Sequence, residues 1–140
     1  MRLVMDQIIL RDMTADDIED HIYWHTIETH IGSVTAYFID TDYNWTRNKI
    51  YCTVGIDLCD TTSWCKGYGT QALKCFIHYL LNQGFNTIHT QTWSGNKGMI
   101  ALATKLGFLE CNRKPQAFHV RGASYDSLTF KLNVSYFLTL

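Results

Sequence analysis

Apolar residues recur at positions 72, 73, 76, 77, 80 and 81. This three-and-four spacing predicts a helix over 67–82 with a single apolar stripe. Asn82-Gln83-Gly84 stops it, because glycine suits the left-handed cap. The run from Ile50 to Leu58 before it is strand-like, and residues 48–59 are read as one strand. Residues 31–40 alternate loosely up to the turn-rich Asp40-Thr41-Asp42-Tyr43-Asn44, so 31–59 is expected to form a hairpin. Residues 85–92 are expected to form a strand, and the Ser94-Gly95-Asn96 turn opens the next helix. Strands are expected at 108–113 and 125–133, with the sole proline, Pro115, in the loop between them. Near the start, 7–11 is a short strand. Thr14 is an N-cap for a helix beginning at Ala15, with Asp17 three residues on. A meander followed by strand–helix alternation implies a mixed α/β sheet. No repeat, linker or low-complexity tract divides the chain, so 1–140 is read as one domain.

The chain is long enough for one core. A formal net charge of -1 favours neither nucleic acid nor an anionic membrane as partner. No apolar run reaches membrane-spanning length, and no basic segment leads into an apolar one at the N-terminus. Both imply a cytoplasmic protein. The five cysteines are scattered without a Cys-x-x-Cys pair, which points to reduced thiols rather than disulfides or zinc. His21 and His25 have metal-ligand spacing on a helix. With no third ligand near in sequence, helix histidines beside a packed Trp24 are the expected arrangement, and no metal site is assigned. The apolar tail, 134–140, either pairs onto the sheet or serves a dimer interface.

The chemistry concentrates at Ser63-Trp64-Cys65-Lys66-Gly67-Tyr68-Gly69-Thr70. A strand, a glycine-bearing turn and a helix form an anion site, since the first helical N–H groups lack partners and the dipole is positive there. Gly67 and Gly69 let backbone approach a ligand, and phosphate is the ligand of choice. The P-loop order is missing, as is the third glycine of a dinucleotide fingerprint.

Trp64-Cys65-Lys66-Gly67-Tyr68-Gly69 resembles the R/Q-x-x-G-x-G/A signature of the GCN5-related N-acetyltransferases (GNAT), in the variant of their RimJ/RimL-like branch. Residues 92–108, with Asn96 opening a helix that ends Lys105-Leu106-Gly107-Phe108, resemble the second GNAT signature. Val120-Arg121-Gly122 and Tyr125-Asp126-Ser127-Leu128 resemble the closing hairpin. The resemblance implies a GNAT-type, mostly antiparallel sheet flanked by helices, with strands 50–59 and 86–92 splaying around the cofactor, acetyl-CoA. It further implies that N–H groups of Lys66, Gly67, Tyr68, Gly69 and Thr70 hold the pyrophosphate and that the strand edge at Ile56 and Leu58 pairs with pantetheine. Asn96 and Met99 would lie near its thiol end, Asn96 also serving as helix cap. The family's second N-terminal helix is missing, leaving only residues 28–32 there. The site is then more open or completed by a partner subunit.

The implied acceptor is an amine, on a small molecule or a peptide, attacked directly in a ternary complex. The family's glutamate base falls at Thr53 and its tyrosine acid at Ala103, and neither can serve. Asp57, two strand steps from Thr53, is the preferred base, with Tyr125 and Tyr68 as candidate acids. A CoA-binding regulatory or structural module without turnover is the alternative, and nucleic-acid binding is a distant third.

Overall fold

The computed structural model describes residues 2–5, 7–12, 31–58 and 65–140. The expected helix from Ala15, the histidines His21 and His25, Trp24 and Trp64 lie outside these residues, as does most of the segment thought to replace the second helix. The chain forms two compact units, one of residues 1–34 and 56–76, the other of residues 35–55 and 77–140.

In the first unit, β1 (Arg2–Met5) pairs antiparallel with β2 (Ile8–Arg11), from Arg2↔Arg11 to Met5↔Ile8. The sequence reading found β2 but missed β1, its four-residue partner. Helix α1 (Tyr68–Asn82) begins in this unit. Its stripe residues Ala72, Leu73 and Phe76 are buried here, as is Ile8. The Gln7 N–H donates to Gln71 Oε1 at 3.3 Å, joining the β1–β2 turn to the helix.

The second unit is built on the six-stranded sheet, whose order is β4-β3-β5-β6-β8-β7. These strands are β3 (Gly32–Ile39), β4 (Trp45–Thr46), β5 (Tyr51–Leu58), β6 (Ile88–Trp93), β7 (Phe108–Val120) and β8 (Ala123–Leu132). Only β5 and β6 run parallel among the described pairs, through Cys52↔Ile88, Thr53↔His89 and Val54↔Thr90. The ladder ends there, although β5 continues to Leu58 and β6 to Trp93. Helix α2 (Lys97–Leu106) is capped at one end by Asn96 and at the other by Gly107 in the left-handed region.

Strand alternation separates the two faces of the sheet. One carries the apolar residues Val54, Ile88, Leu128 and Phe130, each at most 5% exposed. The other carries Thr53, His89, Gln91 and Thr129, of which Thr53, His89 and Thr129 are buried. Residues 40–44 reach residues of this polar face. Gln91 Nε2 donates to the Tyr43 carbonyl at 2.9 Å, and Lys114 Nζ donates to Asn44 Oδ1 at 2.6 Å. Asp40 Oδ1 accepts from the N–H groups of Asp42 and Asn44, a local turn that holds Tyr43 at φ 65.

The β7–β8 hairpin differs from expectation. Pro115 lies inside β7, which runs on to Val120, and the turn is Arg121-Gly122, both at positive φ. A two-residue hairpin loop of type I′ needs that conformation at both positions. The proline is accommodated because the register shifts between Lys114 and Phe118, so no ladder N–H is required of it. The tail also departs from the expectation of sheet pairing. Asn133 caps a short helix, α3 (Val134–Phe137), with Phe137 fully buried and Leu138 exposed.

Candidate active site

The glycine turn lies in the first unit. Cys65 and Gly67 both take positive φ, 61° and 79°, and the first helical bond runs from the Gln71 N–H to the Gly67 carbonyl at 3.0 Å. The N–H groups of Tyr68, Gly69 and Thr70 therefore have no acceptor within the helix. The first turn contains no acidic side chain to oppose an anion, and Lys66 is exposed beside it. A Cβ on Gly67 would meet nothing within 4 Å among the described residues, so glycine is required there by conformation rather than by lack of room. Backbone donors, helix dipole and an adjacent cation fit the pyrophosphate of acetyl-CoA. In the same unit Ile56 and Leu58 are half-buried on the outer part of β5, while Asp57 is exposed. Gly32 lies so close to the Asp57 carbonyl that a side chain at 32 would overlap it.

The remaining candidates lie in the second unit. Asn96 Oδ1 accepts from the Met99 N–H at 3.1 Å. The cap thus uses the carboxamide oxygen, and the NH₂ is the half suited to donate to a ligand. Met99 has its N–H committed to the cap, leaving it only a half-buried side chain to offer. Tyr125 is half-buried, and its ring meets Trp93 edge-to-face with centroids 4.8 Å apart and planes at 88°. Gly95 crosses the Trp93 ring so closely that any Cβ would run into it.

The positions matching the family's base and acid are interior. Thr53 is fully buried, with its hydroxyl 3.5 Å from the Tyr51 carbonyl, and Ala103 is fully buried in α2.

Three further features were missed from sequence. Ser94, read only as part of a turn, is bonded twice to Asp126. The Ser94 N–H donates to the Asp126 carbonyl and the Asp126 N–H donates to Ser94 Oγ, each at 2.9 Å. Gln91 is a hub whose Oε1 accepts from the Tyr37 hydroxyl at 3.1 Å and whose Nε2 also reaches Thr129 Oγ1 at 3.0 Å. Burial pushes the Tyr37 phenol up to about 12. His89 is buried beside the Tyr51 ring at 4.8 Å, with no hydrogen-bond partner for Nδ1. Burial first, and Lys131 second, pull its pKa down to about 4. Spacing signals none of these, because the partners are 32 to 54 residues apart in sequence.

Among the described residues no group of three His, Cys, Asp or Glu could hold a metal ion, and no helix is long and apolar enough to cross a membrane.

No curated protein sequence matches the chain. Solved structures do. The fold is similar to yncA of Salmonella typhimurium, solved with its cofactor acetyl-CoA, at 18% identity and TM-score 0.61, covering 73% of this chain and 57% of that one. It is similar to a ribosomal-protein-alanine N-acetyltransferase from Brucella melitensis, at 18% identity and TM-score 0.59, over 72% of this chain and 60% of that one. A third is the ribosomal-protein-S5-alanine acetyltransferase from Vibrio fischeri, at 22% identity and TM-score 0.58, over 72% and 52%. The chain thus spans between half and three-fifths of these relatives' lengths. The sequence itself matches the family described as "Acetyltransferase (GNAT) domain" over residues 6–109. With the glycine turn, the parallel β5–β6 pair and the Asn-capped second helix, this makes the chain a member of the GNAT acetyltransferase family, whose cofactor is acetyl-CoA.

Proposed function

We propose that this protein is an N-acetyltransferase that transfers the acetyl group of acetyl-CoA to a primary amine in a ternary complex. The observation that carries the reading is the glycine turn, where three N–H groups without helical acceptors lie beside the exposed Lys66. The N–H groups from Lys66 to Thr70, with the Thr70 hydroxyl, hold the pyrophosphate. The β5 backbone at Ile56 and Leu58 pairs with the pantetheine amides as a strand pairs with a peptide. The Asn96 NH₂ donates near the thiol end.

When bound, acetyl-CoA supplies an activated acyl group on a good leaving thiol. The chain's task is to position the amine and manage two protons. Asp57, an exposed carboxylate on β5, takes the amine proton through a water, and the Tyr125 phenol donates toward the departing sulfur. Freeing a lysine amine of pKa about 10.4 at pH 7 costs about 4.6 kcal/mol, against about 1 kcal/mol for an α-amine near 7.8. A site with one solvated carboxylate in place of an enclosed base is better suited to the second. The acceptor proposed is therefore an α-amine of a protein N-terminus, or a small-molecule amine of similarly low pKa. The Trp64-initiated turn motif and the hairpin sequence support a reading within the RimJ/RimL-like branch.

Calorimetric titration with acetyl-CoA, followed by thiol release against a panel of amines, tests the reading. Binding with release establishes the enzyme. Binding without release across the panel favours a CoA-responsive module, for which the buried Thr53 and Ala103 speak. Absence of binding overturns both.

A further inference from the structure

We propose that Ser94 and Asp126 are positioning residues that hold the Tyr125 phenol in place for proton donation. The inference rests on the acetyl-transfer reading above and adds two residues to it. Around Tyr125 the hairpin is irregular: three residues of β7, 115 to 117, face the single Asp126 of β8 before Phe118↔Tyr125 pairing resumes. Such a bulge leaves its backbone without ladder partners. Asp126 supplies them. Its Oδ1 accepts from the Gln116 N–H at 3.1 Å, and its Oδ2 accepts from Arg113 Nη1 at 2.8 Å. Gln116 has φ 53, an uncommon conformation for a side-chain-bearing residue, and its N–H bond to the carboxylate holds it there.

The same residue is tied on its other side to the end of β6 by the two Ser94 bonds. Two neighbouring pairs are thereby set against each other. Trp93 meets Tyr125 ring to ring, and Ser94 meets Asp126 hydrogen bond to hydrogen bond. One of the Ser94 bonds is made by a hydroxyl, so the arrangement depends on that side chain. The carboxyl of Asp126 is held below its usual range, chiefly by the Gln116 N–H and then by Arg113. It is therefore an anion at neutral pH and an acceptor only. It cannot itself donate to a leaving group, and its part in the cluster is to hold its neighbours.

The step balances as follows. The amine nitrogen bonds the acetyl carbon and the carbon–sulfur bond breaks. The sulfur takes the Tyr125 proton, the amine proton leaves through water, and the tyrosinate is reprotonated from solvent.

A double-mutant cycle on the full chain tests this, with rates read as thiol release using the best amine of the panel. Ser94→Ala is expected to lower kcat about tenfold, the worth of one oriented hydrogen bond, while KM for acetyl-CoA stays within about twofold. Ser94→Thr, which keeps the hydroxyl, restores most of the rate. In a Tyr125→Phe background Ser94→Ala is expected to cost nothing further, because there is no phenol left to position. A merely structural serine would lower the rate equally in both backgrounds, and that result overturns the proposal. So does an unchanged kcat in Ser94→Ala or in Tyr125→Phe. If Ser94→Ala fails to fold, Asp126→Ala enters the same cycle with the same two outcomes. Absence of wild-type turnover on any amine defeats the acetyl-transfer reading itself. Wild-type turnover with additive losses defeats only the positioning role.

Discussion

His89 offers the sharpest quantitative test of the fold. It is 3% exposed, it lies against Tyr51, and Nδ1 has no hydrogen-bond partner. Its neutral form is kept by burial, with Lys131 across the β6–β8 ladder as the secondary cause. The Tyr43 ring, 6.4 Å away, belongs to a phenol whose pKa is pushed up and which stays neutral through this range. A histidine near 6.5 when unfolded and about 4 when folded binds more protons in the unfolded state. Its contribution is therefore complete above pH 6.5, falls as pH drops from 6.5, and levels off below about 4. Integrating from pH 7.5 to pH 4 gives a loss of about 3 kcal/mol. That is a large part of the 5–15 kcal/mol typical of a domain. Carboxylates titrate in the same range, so the measurement must be differential. Urea unfolding of the wild type and of His89→Phe, a ring that keeps the contact with Tyr51 and cannot ionise, is followed from pH 7.5 to pH 4. The gap between the two stabilities should shift by about 3 kcal/mol in favour of the variant. Parallel curves would refute the assignment of His89 as a neutral, unpartnered core residue.

Three other outcomes follow from the site and the caps. Gly69→Glu puts bulk and negative charge among the N–H groups that face the pyrophosphate, and calorimetry should show acetyl-CoA binding abolished. Unchanged affinity removes the glycine turn as the cofactor site. Asp57→Asn should lower kcat about tenfold or more at neutral pH with acetyl-CoA affinity nearly intact. An unaltered rate eliminates Asp57 as the base. Gly107→Ala combines φ 93 with a Cβ that would strike the Tyr136 ring. It should destabilise the protein by about 1–3 kcal/mol in thermal or denaturant unfolding, without altering acetyl-CoA affinity once folded.

Elements with a long period or a chemical cap were legible in the sequence. The stripe from Ala72 to Leu81 located α1, and Asn96 with Gly107 bracketed α2, because each feature lies within a few residues of what it determines. Pro115 misled because a proline ordinarily ends a strand, yet here a tertiary contact, Asp126 with the Gln116 N–H, sustains a bulge around it. The tail misled in the same way. Of its apolar residues only Phe137 is fully buried, in a short helix capped by Asn133, while Tyr136, Leu138 and Leu140 are exposed. In the candidate site, the glycine turn and Asn96 were readable as motifs. The Ser94–Asp126 bonds and the Gln91 hub were not, since they join residues far apart in sequence that only the folded sheet brings together.

The buried state of Thr53 bears on how chemistry can proceed here. It pairs with His89 across β5 and β6, and both are enclosed on the polar face. Restoring a glutamate at 53 would place a carboxylate beside an unpartnered imidazole with little access to water. Such a pair gains by sharing a proton rather than by taking one from a substrate. The interior of this face is therefore organised for stability, through the Gln91 bonds to Tyr37, Tyr43 and Thr129. In the proposed reading, proton transfer falls instead to the exposed Asp57 and the half-buried Tyr125. The two are separable by experiment. Asp57→Asn should raise the pH at which the rate reaches its plateau toward the free amine's own pKa, since only the unassisted neutral amine then reacts. Tyr125→Phe should leave that limb in place and lower the plateau. If both variants shift the same limb, a single group governs both protons, and the division of labour between Asp57 and Tyr125 is wrong.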